Sequence, residues 1–182
     1  LQTRHEAENT PPVAERNIPG TNYLTLESLY AEARAILDTM ELEHEMIEIG
    51  RSFQDNPIYA ICIGDGDFGK PELLYISGVH AMEIIGPHMA LEVLRSFAAI
   101  GKVSERGALH NKFNVWIILT LNPDGYLRVQ NRLAFPPGIV YKRCNARGVD
   151  LNRNFPVAFY KHSLSLNPFA GSIIPASPYY HG

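Results

Sequence analysis

The sequence predicts an α/β layered domain, and three stretches carry that expectation. Leu26 to about Met40 has the apolar spacing of an amphipathic helix, Pro71 to Leu94 reads as a strand, a tight turn and a helix, and Asn114 to Leu121 (NVWIILTL) is an unbroken apolar run. In the helix, Thr25 is placed as the N-cap, with Leu26, Leu29, Tyr30, Ala33, Ile36 and Leu37 on one face. Met46 to Arg51 and Pro57 to Ile63 follow as two strands joined by Ser52–Asn56. Gly64-Asp65-Gly66-Asp67 is a turn cluster that lacks the closing Glu of an EF-hand calcium loop.

The stretch from Pro71 organises the chain. Leu73-Leu74-Tyr75-Ile76 reads as a buried strand, Ser77-Gly78 breaks it, and Met89, Ala90, Val93, Leu94 and Phe97 return at helical spacing after Gly86-Pro87. His80 and Glu83 thus fall at the carboxyl end of a strand, where open α/β sheets place their ligands. An imidazole and a carboxylate three residues apart can hold one Zn²⁺ from the same turn. Taken alone, the pair reads more readily as a satisfied surface histidine beside a helix-start glutamate than as a metal site. Gly101 to Asn111 is a polar connection, and the apolar Asn114–Leu121 strand calls for cover on both faces and pairing on both edges. Asn122–Tyr126 (NPDGY) reads as a turn, Pro136-Pro137-Gly138 breaks the chain again, and Val157 to Gly182 is loop-like.

Bulk properties narrow the class. The 182 residues fit one domain, and 46% apolar content excludes wholesale disorder. A net charge of -3, with 16 basic residues in no dense patch, does not suggest a nucleic-acid or anionic-membrane partner. No apolar run approaches the roughly 18 residues of a membrane span. Residues 1–20, with Pro11-Pro12 and Pro19-Gly20, are expected to form a flexible tail ahead of a domain over residues 21–182. The opening Leu1-Gln2-Thr3-Arg4, without Met, suggests a processed or trimmed end. The compartment stays open: secreted or periplasmic if a signal was removed, cytoplasmic otherwise. Cys62 and Cys144 neither demand nor exclude a disulfide.

Three segments then line up: SGVHAMEIIG, LNPDGY and YKRCNARGVDLNRNFP. Together they resemble the zinc metallocarboxypeptidases of the carboxypeptidase A and B superfamily, the funnelins, over most of the chain from about Asn22 onward. Arg143, Asn145, Gly148, Asp150, Asn152 and Arg153 stand at the spacings of the Arg-x-Asn-Ala-x-Gly-x-Asp-Leu-Asn-Arg-Asn-Phe-Pro pattern of that family. The resemblance implies a mixed, mostly parallel twisted sheet flanked by helices. It implies His80 and Glu83 as ligands of one zinc ion, Arg143 as the oxyanion donor, and Asn152 and Arg153 as the grip on a substrate's C-terminal carboxylate. Such residue types suit those roles: a permanent guanidinium charge beside an oxyanion, and a guanidinium fork on a carboxylate. Asp124 and Asp150 are read as loop-shaping residues, and Asp150 also as an acceptor that orients a zinc-binding histidine.

Two departures qualify the resemblance. Met82 stands where carboxypeptidase A-type members have Arg, so a cationic outer subsite is not implied. The second zinc His, a substrate-contacting Tyr and the general-base Glu of the family lie in its C-terminal half, and nothing in this chain matches them. His162 and His181 follow the Asn-Arg-Asn-Phe segment too closely, in proline-rich sequence. The chain therefore resembles about the first half of a carboxypeptidase domain and, by itself, is expected to be inactive. The partners implied are peptide or protein C-termini; side-chain preference and oligomeric state are not read from the sequence. The rivals are an amidase of the same superfamily acting on cell-wall peptides, and a non-catalytic protein that binds C-termini.

Overall fold

A computed structural model describes residues 16–101, 112–133 and 143–155. The elements run α1 (Leu26–Leu37), β1 (His44–Arg51), β2 (Pro57–Ile63), β3 (Glu72–Ile76), α2 (Ile85–Gly101), β4 (Asn114–Ile118) and α3 (Pro123–Leu133), then a single 3₁₀ turn (Leu151–Arg153). The four strands form one sheet in the order β1-β2-β4-β3. The β1–β2 and β2–β4 pairings are antiparallel and β3–β4 is parallel, with Leu74 opposite Trp116 and Ile76 opposite Ile118. The mixed sheet with flanking helices is therefore present. Among the described residues, its parallel part is the single β3–β4 pairing.

Period-two alternation explains how the sheet carries its core. Ile61 and Ile63 of β2 and Val115 and Ile117 of β4 share one face and are all at most 2% exposed. They join one apolar cluster with Leu29 and Ala33 of α1 and Leu91 and Leu94 of α2. Thr25 caps α1 as expected, its side chain accepting from the Ser28 N–H, and all six residues assigned to the inner face are buried. The 3.6 period of α2 places Ala90, Leu91 and Leu94 inward and leaves Met89, expected on that face, 51% exposed.

Three expectations change. Ile18 is fully buried and its N–H donates to the Tyr23 carbonyl at 2.7 Å, so the tail does not extend to residue 20; residues 1–15 lie outside the described set. The Asn114–Leu121 run is a strand only to Ile118 and does have neighbours on both edges. The edge strands among the described residues are β1 and β3, and on β3, read from the sequence as buried, Leu73, Leu74 and Ile76 are exposed. Asn122–Tyr126 is not a simple turn but the start of α3. Asn122 Oδ1 accepts the Gly125 N–H at 2.9 Å, Pro123 occupies the first helical position, where its missing N–H costs nothing, and Asp124 adds an acid to the first turn. The connection 102–111, Pro136-Pro137-Gly138, and residues 156–182 with His162 and His181 fall outside the described residues.

The start of α3 is packed too tightly for any side chain at Gly125. A Cβ there would lie 2.6 Å from the Ala81 Cβ and 2.5 Å from Asn122 Nδ2. In an open helix Gly→Ala gains up to about 1 kcal/mol, whereas forcing a methyl into a filled core costs about 1–3 kcal/mol. Overpacking wins, because both contacted groups are themselves buried. Gly125→Ala is therefore expected to destabilise the fold, measured as a lower urea midpoint; an unchanged or higher midpoint would show that Ala81 can move aside.

Candidate active site

Backbone hydrogen bonds past the ends of β3 and β4 build the site. Ser77 donates to the Ile118 carbonyl, Leu121 to the Ser77 carbonyl and Asn122 to the Gly78 carbonyl, each at 3.0 Å. The ladder thus continues beyond the regular strands and brings the His80 turn against the start of α3. Gly78 is required there: its φ is 61°, and a Cβ would lie 2.5–2.8 Å from Thr120 atoms. Asn122, 2% exposed, closes the joint by donating from Nδ2 to the Val79 carbonyl at 3.2 Å while its Oδ1 caps α3.

The turn ends with His80 buried and Glu83 exposed, their Nδ1 and Oε1 atoms 2.9 Å apart. On its other side, His80 Nε2 lies 3.3 Å from Oδ1 of Asp150. Asp150 comes from a segment 70 residues away and has no exposed side-chain surface. Its Oδ2 accepts from Arg143 Nε at 2.7 Å, and its Oδ1 also accepts from the Asn152 N–H at 3.0 Å, capping the 3₁₀ turn. The backbone seals the same junction, with Ala81 N–H donating to the Arg143 carbonyl at 3.3 Å. A buried carboxylate is tolerable only when paired and hydrogen-bonded, and Asp150 is both.

Local sequence chemistry shapes the segment that carries Arg143 and Asp150. Asn145 Oδ1 accepts from the Arg147 and Val149 N–H groups, both at 3.0 Å, and Gly148 takes a φ of 82°. Asn145 N–H donates to the Val149 carbonyl at 2.9 Å. The result is a tight Asn-led turn that returns Asp150 to Arg143 and leaves Arg147 at its tip. Asn152 is exposed, and Arg153 Nη1 donates to the Asn152 carbonyl at 3.0 Å.

Of the residues singled out from sequence, His80, Glu83 and Arg143 are joined through Asp150. Asn152 and Arg153 adjoin them on the 3₁₀ turn. The donor chemistry fits a zinc ion: Asp150 occupies the Nε2 side of His80, which leaves Nδ1 beside the Glu83 carboxylate. Ligands on a tetrahedral zinc with bonds of about 2.0–2.1 Å sit roughly 3.3–3.4 Å apart. The two atoms therefore need only a small separation, and Glu83 is free to make it because its side chain is 54% exposed. No group of three metal-binding side chains occurs among the described residues. The Asn122 joint was not identified from sequence. Asn before Pro-Asp at the end of an apolar run was its available signal, a helix start rather than a turn.

If Asp150 holds the site together, removing it should cost more than a surface charge would. Asp150→Ala is expected to lower stability by about 3 kcal/mol, the low end for breaking a buried pair, because Arg143 keeps 21% of its side chain in solvent. Urea denaturation would measure this, and a loss under about 1 kcal/mol, the ordinary worth of a surface ion pair, would contradict it.

Residues 32–181 match the family model described as zinc carboxypeptidase. Carboxypeptidase A1 of Bos taurus is 28% identical over 167 residues, covering 88% of this chain and 37% of its own length. Carboxypeptidase Z of Gallus gallus is 34% identical over 116 residues, covering 59% of this chain and 18% of its own. Among solved structures, thrombin activatable fibrinolysis inhibitor superposes with a TM-score of 0.67 at 23% identity, covering 88% of this chain and 39% of that one. Carboxypeptidase A from Helicoverpa armigera gives 0.66 at 24%, covering 88% and 38%. At these identities the structural likeness is one of fold. The chain thus spans 37% or less of the curated relatives named here.

Proposed function

The chain belongs to the zinc carboxypeptidase family, and on that footing we propose that it serves the zinc-dependent hydrolysis of C-terminal residues from peptides or proteins. The observation that carries the proposal is the Asp150 carboxylate. It lies against His80 Nε2 and takes Arg143 Nε, so one buried group orients both a metal-binding imidazole and a guanidinium. His80 and Glu83 would hold one zinc ion, with a third protein ligand not found among the described residues. Bound zinc supplies a nucleophilic water near neutral pH.

Each remaining role falls to a side chain of this chain. Arg143, with Nε fixed on Asp150, has its guanidinium plane set and donates to the oxygen on which negative charge develops. Arg153 and Asn152, at the start of the segment Asn-Arg-Asn-Phe-Pro, take the free carboxylate of the peptide. Burial of His80 and Asp150 strengthens these interactions by excluding water from one side.

Two measurements test the reading. In a complete, zinc-loaded protein, Arg153→Ala is expected to weaken binding of free-acid peptides by about 1.5–3 kcal/mol and to spare their C-terminal amides. Equal losses for acid and amide would remove Arg153 from the carboxylate. Metal content measured alongside should fall in His80→Ala, and stoichiometric zinc in that variant would remove His80 from the metal.

A further measurement concerns Leu1–Gly182 alone, which is expected to turn over no peptide. A catalytic zinc needs three protein ligands, and a general base supplies about 10²–10⁴-fold in rate. Purified chain with added zinc would be assayed on free-acid peptides. Turnover abolished both by a chelator and by His181→Ala would show that this chain completes the site itself.

A further inference from the structure

A buried carboxylate that the proposed chemistry does not use lies at the start of α3. Asp124 is 3% exposed, and among the described residues its side chain accepts from the β1–β2 loop. It takes the Ser52 hydroxyl, the Gln54 N–H at 3.1 Å and Asn56 Nδ2 at 2.8 Å. The first turn of a helix favours a carboxylate, so the clamp sits where its charge is best tolerated. The loop it grips is tight, with Asp55 at a φ of 64°. The loop presents Phe53, and the Arg147 guanidinium lies 5.4 Å from the centre of that ring. Arg147 is at the tip of the turn that carries Arg143 and Asp150.

These contacts close a circuit. The Arg143–Asp150 turn meets the His80 segment through His80–Asp150 and through Ala81 N–H on the Arg143 carbonyl. The His80 segment packs on the start of α3 at Gly125, next to Asp124. Asp124 holds the loop, and the loop returns to the turn through Phe53 and Arg147. The last contact ties the turn to the scaffold at a second place, apart from the His80 segment.

We propose that Phe53, Arg147 and Asp124 are positioning residues: the β1–β2 loop, locked by Asp124, buttresses the turn that sets Arg143 and Asp150. Phe53 is 68% exposed, so its contact with Arg147 lies at the surface. A guanidinium over a ring is favourable without being buried, so the joint can hold at the rim of the site. The assignment to catalysis rests on the reading above; the mechanical coupling does not.

The test follows hydrogen exchange of the Asn145–Arg153 amides in the full chain, without metal or substrate. Phe53→Ala and Arg147→Ala should each speed exchange there by about 2–5-fold, the strength of an exposed cation–π contact. The double variant should match the singles, and Phe53→Tyr should behave as wild type. Asp124→Asn should loosen Ser52–Asn56 and the turn together. Additive single effects, loosening of the loop alone, or acceleration spread evenly into β2 and β4 would each overturn the proposal. In a complete zinc-loaded protein, Phe53→Ala should lower kcat by a similar factor with KM unchanged, and a change in KM alone would overturn the positioning role. Because exchange is read without turnover, failure of the hydrolytic reading leaves the coupling result intact.

Discussion

A single carboxylate with no exposed surface, Asp150, is the constraint on which the site depends. Burying an isolated ionised carboxylate would cost many kcal/mol, so the chain must bring donors to it. They come from three places: Arg143 from the start of the turn, the Asn152 N–H from the 3₁₀ turn, and the His80 ring from the turn after β3. The charge–charge attraction does not by itself make the fold more stable than an apolar core would be. It fixes one arrangement, because any other leaves a buried charge unmatched.

The sheet makes that arrangement reachable. His80 arrives at Asp150 because the backbone ladder between β3 and β4 runs on past the regular strands into Ser77–Gly78 and Leu121–Asn122. Close approach at two glycines permits it: Gly78 against Thr120, and Gly125 against Ala81. Asn122 works on both sides of the joint, holding the Val79 carbonyl and capping α3. The segment before α1 is tied to the same helix, since Tyr126 donates its hydroxyl to the Leu24 carbonyl at 2.7 Å.

Of the two edge strands, β1 and β3, it is β3 that exposes a run of large apolar side chains. Leu73, Leu74 and Ile76 are exposed, and among the described residues nothing pairs with their outer side. An apolar, unpaired strand is a template for pairing with further chain. The relatives named above are all matched over less than half their length.

The sequence determined the elements whose signals are local. Thr25 and the Leu26–Leu37 face follow from capping and the 3.6 period, and the strand at 57–63 and the existence, though not the end, of the strand that starts at Asn114 from β-branched apolar runs. The spaced Arg-x-Asn and Asp-Leu-Asn-Arg segment marked the candidate residues, since each is a chemical type that its proposed role requires. Tertiary structure decided what depends on contacts distant in the chain. Asn122–Tyr126 reads as a turn until Ala81 and Val79 are seen to pack against it, and β1 and β3 emerge as the edges of the sheet only once the strand order is fixed. Phe53 meeting Arg147, and Asp124 gripping a loop about 70 residues away, have no periodicity to announce them. A side chain's partner across the fold is set by where the sheet and helices carry it, and a linear pattern holds no record of that distance.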